Sequence, residues 1–117
     1  MSKRFIMIAG AAGWMALGVV GSMGFIRHGI EKDVDRWITT AQLAHPSPGD
    51  DLAALLAYLE SDTHSLTERN QAVWAIGQYR NSRALETLEK YRTGSDCSHE
   101  RDLCQRELEK AIRLCRR

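Results

Sequence analysis

The run from Phe5 to Ile26 contains no charged side chain, and no other stretch of the chain approaches it in length and hydropathy. At 1.5 Å per residue such a run makes a helix about 33 Å long, against about 30 Å of bilayer hydrocarbon, so it predicts a single transmembrane helix. Lys3 and Arg4 precede it and Arg27, His28 and Lys32 follow it, so charged groups flank both ends. A secretory signal has an apolar core of only about 7–15 residues. That length favours an uncleaved anchor, with a signal cleaved near Ser22-Met23-Gly24 as the alternative. Gly10, Gly13, Leu17, Gly21 and Gly24 recur at steps of three and four, which puts four glycines on one stripe. Ala9-x-x-x-Gly13 and Gly18-x-x-x-Ser22 repeat a small-x-x-x-small pattern. Small residues admit a neighbouring span, so the stripe predicts docking onto an integral membrane subunit. Mid-span Trp14, whose indole N–H needs a partner, points the same way.

The rest of the chain is charged but balanced, with 16 Lys plus Arg against 15 Asp plus Glu. A net charge of +1 and no long single-sign run give no field for a nucleic-acid partner. Counting Lys and Arg close to the span leans towards a cytoplasmic C-terminal part. Cysteine usage, taken up below, leans towards a periplasmic or extracytoplasmic one.

From Glu31 to Ala44, Val34, Trp37, Ile38, Ala41 and Ala44 fall at helical spacing, which predicts an amphipathic stalk helix within 27–45. His45-Pro46-Ser47-Pro48-Gly49 then breaks the chain, since each proline disfavours helix at the residue before it. A linker at 46–49 therefore separates the tail (1–4), span (5–26) and stalk from a helical domain at 50–117. Asp50 can cap a helix striped by Leu52, Leu55, Leu56 and Leu59. Ser65-Leu66-Thr67-Glu68 has the form of a capping box for a helix to about Arg80, with Ala72, Val73, Ala75, Ile76 and Tyr79 on its apolar face. Asn81-Ser82 opens a third helix, Arg83 to Tyr91, stopped at Thr93-Gly94-Ser95. A fourth is predicted from His99 to Leu114, with Glu100 and Asp102 in its first turn and Cys104, Leu108, Ala111 and Cys115 on one face. The fold class is all-α.

The second and fourth of these helices align, Ala72 with Leu108, Ala75 with Ala111, Ile76 with Ile112 and Tyr79 with Cys115, which suggests two successive helix pairs. The stretch Glu68-Arg69-Asn70-Gln71-Ala72-Val73-Trp74-Ala75-Ile76-Gly77, followed by Ser82-Arg83-Ala84-Leu85-Glu86-Thr87-Leu88, resembles a HEAT-like repeat across about Leu52 to Leu114. Arg69, Ala72, Ala75, Ile76 and Gly77 match the closing helix of the motif, and Ala84, Leu85 and Leu88 match the opening of the next. The resemblance implies an α-solenoid that binds protein. Some relatives of this type are phycobilin lyases, but these residues carry no lyase chemistry. Two helix pairs are fewer than the three or so repeats that usually stand alone, which leaves room for a partner.

Chemistry is sparse. On the predicted last helix Cys104 and Cys115 lie too far apart to bridge, so only Cys97 and Cys104 can pair. Such a disulfide requires an oxidising compartment, and the alternative is three reduced cysteines. Cys97, His99 and Cys104 do not follow a zinc-ligand spacing. No Cys-x-x-Cys-His haem attachment or glycine-rich phosphate loop occurs, so no cofactor is expected. His45 and His64 fall in loops without acidic or cysteine companions in sequence, and Glu107 and Glu109 fall on different helix faces. No enzyme is expected. The pattern predicts a non-catalytic single-pass adaptor or accessory subunit of a membrane complex, contacting a protein partner through Trp74 and Tyr58. The alternatives are a membrane-tethered thiol–disulfide protein and a secreted HEAT-like domain.

Overall fold

The computed structural model describes residues 26–95 and 101–117. All regular structure among them is helical: α1 (26–44), α2 (Asp51–Glu60), α3 (Leu66–Tyr79), a 3-10 turn (Ser82–Ala84), α4 (Leu85–Lys90) and α5 (Gln105–Cys115). The chain divides into two units, Met1–Lys32 and Asp33–Arg117. Of the first, residues 26–32 are described, helical and exposed.

The transmembrane helix expected at 5–26, and the single-pass membrane localisation drawn from it, are corrected: no helix among the described residues is long and apolar enough to cross a membrane. The longest of them, α1, carries Arg27, Glu31, Lys32, Asp33, Asp35 and Arg36, charges that a hydrocarbon interior excludes. The extracytoplasmic placement of the helical part, read from a Cys97–Cys104 bridge on the far side of that span, is withdrawn with the span. Residues 5–25 and the glycine stripe Gly10, Gly13, Gly21 and Gly24 lie outside the described residues.

The stalk is corrected as well. Ala41 is fully buried, and Trp37 and Ile38 pack against the same core as α2, α3 and α5, so the second half of α1 is an integral wall of the larger unit. The proline-containing segment is a tight turn inside that unit. Gln42 holds it, accepting from the Ser47 amide at 2.7 Å and donating to the Ser47 carbonyl at 2.9 Å and to Asp51 Oδ1 at 3.0 Å.

Local chemistry sets the next two helix starts. Asp50 accepts from the Ala53 amide at 3.0 Å to cap α2, whose stripe buries Leu52, Leu55 and Leu59 and half-buries Leu56. Each fully buried leucine contributes about 1.5–3 kcal/mol of apolar transfer. Ser65 and Glu68 close a reciprocal capping box at the start of α3. Arg80 ends α3 in the left-handed region at φ 55°, a conformation usually reserved for glycine. Asn81 then caps the 3-10 turn through the Arg83 amide at 2.9 Å.

α3 is the central element, packed on α2 on one side and on α5 on the other, while α4 packs against α5. The contact between α3 and α5 is close at Gly77: a Cβ there would stand 3.0 Å from Ala111 Cα and 3.1 Å from its Cβ. Ala72, Ala75 and Ile76 are buried, as are Leu108, Ala111 and Ile112, so three of the four aligned pairs match in burial. The fourth does not, because Tyr79 is 39% exposed and Cys115 is buried.

α5 starts at Gln105, well after His99. Glu107 is therefore the acidic residue of its first turn, while Asp102 lies before it. The start is fixed by tertiary bonds. Asn70 of α3 accepts the Cys104 amide at 2.8 Å. Buried Gln105 accepts from the Thr93 amide at 2.8 Å and donates to the Tyr91 carbonyl at 3.1 Å. Arg69 plays a matching part at the end of α2, donating to the Leu59 carbonyl at 2.7 Å while its guanidinium lies 5.7 Å from the centre of the Tyr91 ring.

Candidate functional site

Two features of the larger unit gather chemistry. The first is centred on Tyr58, whose position on α2 turns its ring into the junction between the α1–α2 and α2–α3 loops. His64 stacks on it with ring centroids 3.7 Å apart and planes 7° from parallel. His45 and Trp37 meet the same ring edge-on, at 6.0 Å and 5.7 Å. The phenol donates to Glu68 Oε2 at 2.8 Å, and the Nε2 atoms of His45 and His64 approach to 2.9 Å. That contact needs a proton on one Nε2 and a bare lone pair on the other. Backbone bonds fix both loops, from the His45 amide to the Ala41 carbonyl at 2.7 Å and from the His64 amide to the Ser61 carbonyl at 3.4 Å.

The electrostatics follow from this packing. Burial, then the Glu68 carboxylate on its hydroxyl, pushes the Tyr58 phenol up to about 12. The hydrogen bond from Tyr58, and then those from Ser65, hold the Glu68 carboxyl below its ordinary value. Elsewhere the Arg83 guanidinium, 2.8 Å from Asp50, does the same for the carboxyl that caps α2.

The second feature is a shallow depression between α1 and α3, lined by Asp33, Arg36, Trp37, Gln71 and Trp74. Trp74 stands on α3 between residues that are fully buried and packs against the core, yet its own side chain is only half-buried.

Of the residues singled out by the sequence, Trp74 lines this surface. Tyr58 does not: at 2% exposure its ring is enclosed by Trp37, His45 and His64, so it is corrected from a contact residue to the centre of a buried cluster. Cys104 is the buried N-cap of α5, and Cys97 lies outside the described residues, as does their pairing. Cys115 is buried, with its thiol directed to the Ile76 carbonyl at 3.7 Å. Burial pushes that thiol up and so suppresses the reactive thiolate, an effect partly opposed by a backbone hydrogen bond at Asn81. Among the described residues no three His, Cys, Asp or Glu side chains converge as a metal-binding group.

The two histidines do find companions, contrary to their reading from sequence: each other, Tyr58 and, beside His64, Glu68. Their separation along the chain hides this. The one signal available was that both belong to the loops flanking a single helix. No known protein family, curated protein or solved structure matches this chain.

Proposed function

We propose that this chain is a non-catalytic helical interaction module of HEAT-like build, an adaptor or accessory subunit. It binds a protein partner through the α3 face that carries Gln71 and Trp74, with Trp37 beside it. The observation that carries this reading is the half-buried Trp74, packed on the core at its base, lining a depression that also holds a second indole, an acid, a base and an amide. Tryptophan and arginine are the side chains most often dominant in protein contacts, and a polar rim around them is the usual setting. The packing duties of the residues behind the resemblance support the same reading. Arg69 closes α2, Ala72, Ala75 and Ile76 fill the core, and Gly77 admits α5, which leaves Gln71 exposed and Trp74 at the edge of the core with part of its surface open.

The test is retention of a partner by the tagged full chain in its native extract. Trp74→Ala is expected to weaken retention at least tenfold. Gln71→Arg, at an exposed position outside the core, is expected to do so with the unfolding midpoint unchanged. Equal retention by wild type and both folded variants would sink the proposal.

A further inference from the structure

His45 and His64 come from two different loops, yet their Nε2 atoms stand 2.9 Å apart. We propose that this pair is a two-nitrogen chelate for a late first-row divalent cation, Cu2+, Ni2+ or Zn2+, with water completing the coordination shell.

Two imidazole nitrogens bound to one tetrahedral metal at 2.0–2.1 Å sit about 3.3 Å apart. The observed separation opens by a few tenths of an ångström, and each ring also turns about its side-chain torsions so that the two Nε2 lone pairs meet at the metal instead of lying along the line between the nitrogens. The donor ring moves its proton from Nε2 to Nδ1, the acceptor ring already offers a lone pair, and a neutral pair binds the cation without releasing a proton.

The rings are also held in place before any metal arrives. His64 lies flat on the Tyr58 ring, His45 stands edge-on to both, and the backbone of each histidine is tied into its loop. Ordering two imidazoles is a cost that a flexible pair bears in full at binding, whereas here folding has already brought the two nitrogens together and only the turn of the rings remains. Glu68 lies beside His64 with its oxygens already bonded to Tyr58 and Ser65, so it acts from the second layer and offsets the charge of a bound cation. Both histidines are partly exposed, which leaves an entry path and room for water ligands. An imidazole pair without oxygen ligands selects against Mg2+ and Ca2+, and among the late metals it ranks Cu2+ first.

The full chain is titrated with Cu2+, Ni2+, Zn2+ and Mg2+, following the thermal midpoint. The imidazole resonances are followed by NMR with Zn2+. The expected result is saturable one-site binding, tightest for Cu2+ and absent for Mg2+, that raises the midpoint. His45→Asn and His64→Ala should each weaken it at least tenfold, while His28→Ala at an exposed position leaves it intact. Zn2+ should shift the His45 and His64 resonances of the wild-type protein, a readout that does not depend on any variant folding. Unmoved resonances at those two histidines, or wild-type affinity in both folded variants, would overturn the proposal.

Discussion

Tyr58 shows how much one side chain can organise when its ring is enclosed and its hydroxyl is not left unbonded. Burial, and then the 2.8 Å hydrogen bond to Glu68, stabilise its phenol in the protonated form, and the same bond stabilises Glu68 in the ionised form. The two ends of the pH scale therefore carry opposite signs. A carboxyl whose folded pKa lies below its unfolded value stabilises the fold above that unfolded value. The contribution is lost as pH falls through the folded one. For Glu68 that loss begins below about 4.5. A phenol raised from 10.0 to about 12 contributes fully below pH 10, and the contribution disappears as pH climbs towards 12. Tyr58→Phe is expected to flatten both limbs of the unfolding midpoint against pH, and Glu68→Gln chiefly the acid limb. Variant profiles running parallel to the wild type at both ends would show that the bond does not link the two groups.

Among the elements, the α3–α5 contact leaves little room at position 77. Gly77→Ala would gain up to about 1 kcal/mol of helix propensity. The added methyl, however, meets backbone of α5 at 3.0 Å and the Ala111 methyl at 3.1 Å. Overpacking of this kind costs about 1–3 kcal/mol, so a net loss of stability is expected in urea unfolding at unchanged slope. This element also marks where sequence reading reaches its end. The starts of α2 and α3 were legible because Asp50 and Ser65 act on amides within three residues of themselves. The start of α5 was not, because Asn70 and Gln105 set it across long stretches of chain, and the acidic pair Glu100 and Asp102 imitated a first turn. The histidine pair was hidden for the same reason. Tyr58 was misread because an apolar stripe does not reveal which of its aromatic members the loops will cover.

For the whole molecule, the division after Lys32 assigns Trp37, Ile38 and Ala41 to the larger unit. A fragment from Asp33 to Arg117 is accordingly expected to unfold cooperatively by calorimetry and circular dichroism. A fragment beginning at Asp50 removes those three side chains from the core. With Ala41 fully buried and Trp37 and Ile38 half-buried, its unfolding midpoint is expected to fall clearly below that of the longer fragment. Equal midpoints for the two fragments would mean that α1 only covers the surface. Charges and core contacts coexist on α1 because they occupy different faces: Asp35 and Arg36 are exposed, while Ala41 is buried and Trp37 and Ile38 are half-buried.

The bare backbone at Gly77 has a consequence in the language of sequence drift. Because its nearest neighbour is the main chain of α5, trimming the opposing side chain to glycine would still leave the Cα of residue 111 in the way. Position 77 therefore has no compensating partner through which it can change. Exposed charges such as Asp35 and Arg36 are free to wander in descendants of this chain, whereas a glycine at 77, opposite a small residue at 111, is what this helix crossing requires.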